Sequence, residues 1–397
     1  MIFTPKQYLW HGFGTLLLSY ILCFAISLVG YNSSFMDPIS KAIGSFSFID
    51  SYFYIENSAI DNELETNQDI LLFNIAGCNS RTELAGKLQQ ITDLKPRVIG
   101  MDVIYGDNAT TGKEADDSLL HVVSRCPQLV TAMRITQHGD QIAEEHSFYT
   151  KLGTVDEACI NVEDDVVRNF VRKLKINDIE KQSFVDRIIE RAYPEAHANL
   201  VKRGNNEERI NYKTLDFLQL GMADELFPED VEDKIVLIGD FNDLRDFHNV
   251  PTTEQSASRI PGTRIHAYAI STFTKDRIID KMGEGAGWIF GLILAYLFSI
   301  LACVCFVEWD KLAGLTTNFF MVVMFILLSL AGGYFFISHN YELDMTVAML
   351  GIGLAGCTSE IWFWLGTTRP YQWLQRKFHL PDGGVRVYVD SNGQRND

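Results

Sequence analysis

Apolar residues are unevenly spread along the 397-residue chain, with four almost wholly apolar windows at 12–31, 287–307, 314–337 and 346–366. Each window reaches the roughly 20 residues that a helix needs to cross a ~30 Å hydrocarbon core. The pattern predicts one transmembrane helix before a long polar region, 32–283, and three after it. Residues 1–11 are then a short cap and 367–397 a tail. In the tail, 385–389 alternates and 390–393 is turn-like, which predicts a small hairpin.

The polar region alternates strand and helix patterns. Residues 69–75 form a compact apolar run, a buried strand. Leu84, Leu88 and Ile91 recur at helical spacing in 81–92, and Pro96 closes the turn that follows. Residues 97–105 read as a second buried strand. Residues 115–125 read as a helix with Asp116 and Asp117 in its favourable first turn. Residues 128–135 are a third strand. This βαβαβ order predicts a parallel or mixed sheet covered by helices.

Further on, 158–162 and 166–174 predict a hairpin turning at 163–165. Residues 183–203 predict one long amphipathic helix, 209–212 a short strand and 214–222 another helix. A strand at 234–239 and a helix at 263–276 close the region. Ahead of all these, Phe35, Ile39, Ala42, Ile43 and Phe46 recur at helical spacing. They predict a helix leading out of the first span, with an interfacial loop as the alternative. The fold class is an α/β extracytoplasmic domain with a mixed sheet, plus a four-helix transmembrane region.

Charge sharpens this picture. Residues 32–283 hold 42 Asp and Glu against 27 Lys and Arg, giving −15 of the chain's −17. Such a surface repels phosphate backbones and anionic headgroups, so nucleic acid is not expected as a partner. Lys6, Lys311, Arg369, Arg376 and Lys377 flank the spans, and 338–345 carries no Lys or Arg. The positive-inside rule then places both termini in the cytoplasm and the polar region outside a cell (inner) membrane. The first window is long and lacks a small-residue cleavage site, so it reads as an uncleaved anchor.

The seven cysteines form no disulfide framework. Cys23, Cys303, Cys305 and Cys357 lie in apolar windows. Among Cys78, Cys126 and Cys159, one bridge between Cys126 and Cys159 stands open against buried free thiols. No Cys/His spacing suggests zinc.

The richest stretch is 234–274, a strand, an acidic loop and a helix. Asp240 follows the strand, where ligands of open α/β sheets tend to bind. The loop adds Asp243, Asp246 and His248. Arg264 and His266 lie near the start of the helix, whose N–H groups favour anions. Asp102, on the neighbouring 97–105 strand, can complete a pocket. The candidate ligand-binding residues are therefore Asp102, Asp240, Asp243, His248, Arg264 and His266. The plainer alternative is a buried network of Asp102, Arg264 and His266 that pins helix to sheet, since buried charges need partners. A divalent cation on Asp240, Asn242 and Asp243 lacks the spacing and closing glutamate of a calcium loop.

Other motifs carry less. Glu360 is an intramembrane acid, read either as a proton or partner site or as a snorkelling group. The GxGxxG match at 351–356 sits inside an apolar span with no preceding strand, so it reads as close helix packing. Asn32 and Asn108 head sequons that a bacterial context makes incidental. There is no Gly-x-Ser-x-Gly elbow, His-Glu-x-x-His or P-loop. No enzymatic activity, catalytic residue, metal or cofactor is expected.

Three stretches together resemble the CHASE2 family of bacterial membrane sensors. They are Pro96-Arg-Val-Ile-Gly-Met-Asp102-Val-Ile-Tyr105, the run from Cys159-Ile-Asn-Val to Val-Val-Arg168, and the 234–274 unit with Asp246-x-His248, Pro251 and Pro261-Gly-Thr-Arg-Ile-His-Ala267. The order of the motifs and the one-plus-three arrangement of spans also agree. Two positions depart from the family: the 163–165 turn lacks its usual glycine, and Asp240 replaces a small residue.

The resemblance implies an extracytoplasmic sensory domain that receives a small ligand or envelope component. Residues 367–397 are too few for a kinase or cyclase. The expected output is therefore a signal passed through lipid-embedded helices to a separate membrane or cytoplasmic effector. A structural or scaffolding subunit of an envelope complex is the alternative.

Overall fold

A computed structural model describes residues 4–31, 48–58, 65–106, 113–138, 141–161, 165–176, 179–251, 259–275, 277–309 and 312–381. The chain divides into two compact units. One is 47–279, the head; the other joins 1–46 to 280–397. The expected tail hairpin, the 32–47 part of the entry helix and the two sequons lie outside the described residues.

In chain order, α1 (Pro5–Tyr31) precedes the head, which opens with α2 (Phe48–Ser58), β1 (Thr66–Asn74), α3 (Arg81–Asp93), β2 (Val98–Met101), α4 (Lys113–Val123) and β3 (Leu129–His138). Then come β4 (Gln141–Glu145), β5 (Asp156–Cys159), β6 (Asn169–Val171), β7 (Lys173–Ile176), β8 (Ile179–Gln182), α5 (Phe184–Ala192), α6 (Pro194–Arg203) and β9 (Glu207–Arg209). The head ends with β10 (Asp216–Gly221), β11 (Ile235–Gly239), β12 (Phe247–Asn249), β13 (Arg259–Pro261) and α7 (Gly262–Thr274).

The central sheet runs β10-β1-β11-β2-β3, with β4 and β5 both on β3. All pairings are parallel except the antiparallel β3–β4 pair, so the sheet is mixed as expected. Helices cover both faces, which explains why the strands read as continuous apolar runs rather than as alternating ones. One face sends Leu71, Phe73, Ile99, Met101, Val236 and Ile238 into a core closed by Leu84, Leu88 and Leu119 of α3 and α4. The other meets α5 and α7. There a Cβ on Gly100 would stand 2.6 Å from Ile188 Cδ1 and 2.8 Å from Phe184 Cζ, so any larger residue would have to displace the side chains of α5. Helix α7 is buried at every position from Gly262 to Phe273 except Arg264.

Four expectations change. The hairpin over 158–174 does not form: β5 pairs in parallel with β3, and β6 pairs with β9 in a separate ribbon. Asn161 explains why the chain stays at the sheet edge there. Its side chain accepts from the Ile135 N–H at 2.8 Å and donates to the Ile135 carbonyl at 2.6 Å, as a further strand residue would. The single helix over 183–203 is two, broken at Tyr193 (φ −139°, ψ 71°) before Pro194, which occupies the first turn of α6. The helix over 214–222 is strand β10; parallel pairing with β1 outweighs the helical preference of its Leu and Gln residues. The short strand at 209–212 is displaced to Glu207–Arg209.

Arg168, in the second motif, forms an ion pair at 2.6 Å with Asp50 of α2. This fixes the entry helix to the head.

In the other unit, α1 packs with α8 (Glu284–Glu308), α9 (Ala313–His339) and α10 (Thr346–Gly366), followed by α11 (Arg369–Phe378). Helices α1, α8, α9 and α10 are each long and apolar enough to cross a membrane. Trp362 Nε1 donates to His11 Nδ1 at 3.0 Å, and Tyr20 OH donates to the Val347 carbonyl at 2.8 Å, so α1 and α10 run antiparallel. A Cβ on Gly351 would lie 2.4 Å from Ala295 Cβ. The GxGxxG match thus serves close packing of α10 on α8. Glu360 is exposed on α10. Just before α8, Asp280–Lys281 pairs in parallel with Tyr341–Glu342, the link between α9 and α10.

Candidate functional site

Strands β11 and β2 are parallel neighbours, with Ile238 beside Met101. Their next residues, Gly239-Asp240 and Asp102, therefore emerge together at the carboxyl end of the sheet. The Asp102 N–H donates to the Ile238 carbonyl at 2.8 Å, which extends the ladder to the acid itself. From β1 alongside, Asn74 Oδ1 accepts from the Phe241 N–H at 3.1 Å and holds the start of the acidic loop.

Beyond these ends lies a cleft of about 390 Å³, lined by Asp102, Arg134, Glu145, Asp240, Asp243, Arg245 and Asp246 with Val103, Ile104 and Ile160. Asp102 is its deepest acid, with its side chain 3 % exposed. Thr263 Oγ1 donates to Asp102 Oδ2 at 2.8 Å, and His266 Nε2 stands 3.7 Å from the same oxygen. The Gly262 N–H donates to Asp246 Oδ2 at 3.1 Å. Two acids of the cleft thus hold the first turn of α7.

Two glycines make this junction possible. A Cβ on Gly239 would stand 2.0 Å from Thr263 Oγ1, and one on Gly262 2.8 Å from Asp246 Oδ1.

Burial sets the protonation of the centre. Loss of hydration, reinforced by the negative charge of Asp246, raises the Asp102 pKa well above the usual carboxylate range. Burial also lowers His266 to about 4, against the opposing pull of Asp246. Asp102 is thus biased towards a neutral acid and His266 towards a neutral imidazole. At the rim, hydrogen bonds from Arg245 hold Asp243 down at about 2.

Of the six residues picked from the sequence, Asp102, Asp240 and Asp243 line the cleft. His266 touches it through Asp102, and His248 lies 3.7 Å from Asp246. Arg264 is not brought to the cleft lining; its guanidinium stands over the Phe217 ring, 5.9 Å from the centroid. The buried network therefore joins Asp102 to Thr263 and His266, with Thr263 in the place expected for Arg264. Sequence reasoning passed over Thr263, Arg134, Glu145 and Arg245. Thr263 was visible beside Pro261-Gly262, but nothing in the chain marked Arg134, which is far from the motifs.

The carboxylates of the acidic loop are engaged locally. Asp240 Oδ1 accepts from the Asn242 N–H at 2.9 Å, and Asp243 Oδ1 accepts from the Arg245 N–H at 3.0 Å. Among the described residues no group of three or more His, Cys, Asp or Glu is placed to hold a metal. Cys126 and Cys159 are both buried, and no disulfide joins them.

A parallel-rich α/β head with a cleft at the carboxyl ends of its strands, on a chain with four apolar helices, defines a membrane protein with a receptor-like domain. Residues 63–305 match the CHASE2 domain, and the chain belongs to that family. The match begins just before β1 and runs into α8. CHASE2 is a sensory domain rather than a catalytic one. Neither the curated proteins nor the solved structures returned a match.

Proposed function

We propose that the head senses a ligand in the cleft beyond β2 and β11, and that occupancy is transmitted through α7 to the transmembrane helices. The observation that carries this is the attachment of α7 to the cleft: Asp102 holds Thr263, and Asp246 holds the Gly262 N–H. A ligand bonded to either carboxyl group competes for those oxygens and favours a different seating of α7. Such differential affinity is what a ligand needs to shift a two-state equilibrium. From α7 the chain continues through 275–283 directly into α8.

The cleft presents five carboxyl groups against two guanidinium groups, which favours a ligand bearing an amine or another cation. Arg134 offers a place for an accompanying anionic group. This reading places the head outside the cell membrane and the Lys311 loop inside. It also includes a separate effector protein that receives the signal.

The test is thermal unfolding of the full chain in nanodiscs with a panel of amino acids and polyamines. A cognate ligand at a hundredfold its Kd stabilises by about 2.7 kcal/mol, a rise of roughly 5–10 °C for a head of this size. The rise should vanish in Asp240→Ala and Asp102→Asn. A panel without effect, or a shift that survives both substitutions, counts against the cleft. Impermeant labelling of a cysteine placed at Lys311 in intact cells tests the orientation, and rapid modification there would overturn it.

A further inference from the structure

We propose that α11 is an amphipathic anchor that docks on a bilayer surface carrying anionic headgroups. Its sequence divides by face. At about 100° per residue, Tyr371, Leu374 and Phe378 form one stripe with Trp373 and Lys377 beside it, and Arg369, Gln372 and Arg376 lie opposite. Trp373, Leu374 and Phe378 are 58 %, 40 % and 59 % exposed. Among the described residues, most of this apolar face is therefore left uncovered.

The position of the helix says what covers that face. Only Thr367 and Thr368 separate it from α10, a helix long and apolar enough to cross a membrane. Thr368 is extended (φ −79°, ψ 146°), so α11 turns aside instead of prolonging α10. Tyr371 then holds its start against the bundle. Trp10 Nε1 donates to Tyr371 OH at 3.2 Å, and the Trp362 ring meets the Tyr371 ring edge-on, with centroids 5.6 Å apart. Trp362 lies about one turn inside the end of α10. The helix therefore begins where the span leaves the hydrocarbon, the depth that amphipathic helices and interfacial tryptophans occupy.

Charge selects the kind of surface. From Ile361 to Pro381 the chain carries Arg369, Arg376 and Lys377 and no Asp or Glu, in contrast to the acidic head. The Lys377 ammonium stands 4.7 Å from the Trp373 ring centroid. Its stem follows the apolar face while its charge reaches the headgroup level, as a snorkelling lysine does. A zwitterionic surface holds only the apolar residues. An anionic one also attracts the three cations, each worth about a fivefold gain in binding.

Hydrogen exchange of the full chain in nanodiscs tests this. Both leaflets carry the same lipid, so the answer does not depend on which side the head occupies or on what the cleft binds. A ten-residue helix is marginal in water on its own, so release from the surface frees its amides. The amides of 373–378 should exchange about tenfold more slowly, or slower still, in phosphatidylcholine mixed with phosphatidylglycerol than in phosphatidylcholine alone at low salt. The difference should largely vanish at high salt and in the double variant Arg376→Gln/Lys377→Gln. Leu374→Ser/Phe378→Ser should exchange faster than wild type in both lipids. Exchange in the head controls for folding, and the wild-type comparison between lipids stands without any variant. Equal exchange in the two lipids, or a difference that survives both salt and the loss of the two cations, overturns the proposal. So does wild-type exchange in Leu374→Ser/Phe378→Ser.

Discussion

Replacing His266 with phenylalanine isolates the cost of keeping an imidazole neutral in the core. In the folded chain burial lowers its pKa to about 4, against 6.5 unperturbed. A depressed folded pKa contributes stability that is present above 6.5 and is lost as pH falls towards 4, because the unfolded chain takes up the proton first. The full loss corresponds to about 3 kcal/mol, of which about 2 kcal/mol falls between pH 7 and pH 5. Asp102 acts in the opposite sense, since its raised pKa favours the folded state as pH falls, and it does so in both proteins.

The comparison is therefore the ratio of variant to wild type. All six tryptophans lie outside 47–279, so their fluorescence does not report on the head. The buried, unbridged thiols of Cys126 and Cys159 do. With the other cysteines replaced, their labelling rate under native conditions measures opening of the head. Wild-type labelling should rise roughly thirtyfold more than that of His266→Phe between pH 7 and pH 5, after the common thiolate dependence cancels. Parallel pH profiles would show that His266 does not stay neutral in the fold.

Three further substitutions probe the architecture. Gly239→Ala places a methyl group against the Thr263 hydroxyl bonded to Asp102; it should destabilise the head by about 1–3 kcal/mol, read by the same labelling, and an unchanged rate would refute the close approach. Asn161→Ala leaves both backbone groups of Ile135 without their side-chain partner, at a cost of about 1–3 kcal/mol; hydrogen exchange at Ile135 should accelerate, and unaltered protection would show that Asn161 does not complete the sheet edge. Gly351→Val drives a branched side chain into Ala295 and Tyr20; cysteine pairs across α8 and α10 should crosslink less efficiently, and equal yield would argue against the tight contact.

The strands β1, β2 and β11 were legible because burial on both faces writes an unbroken apolar run into each. The same economy of signal misled at 214–222, where Leu218, Gln219 and Leu220 suit a helix as well as an edge strand, and the partner, β1, lies far away in sequence. At 158–174 the acidic residues looked like a turn, although the partner of β5 is β3 and that of β6 is β9. The cleft was half visible. Asp240 stands out because it follows an apolar strand, and Asp102 because it is the one acid within the 97–105 run. Thr263 and Arg264 are neighbours on one helical turn, and sequence does not say which of the two faces the sheet. Arg134 and Glu145 enter through the β3–β4 pairing, a tertiary fact without a local pattern.

The short ladder between 280–281 and 341–342 has a mechanical meaning. The Asp280 N–H donates to the Asn340 carbonyl at 2.8 Å, and the Met282 N–H to the Glu342 carbonyl at 2.9 Å. The strap that leaves the head is therefore stitched to the hairpin between α9 and α10 before it becomes α8. A tug on residue 280 is shared among three membrane helices like the pull on a yoke, so the bundle would tilt as a team rather than let one helix slide like a piston.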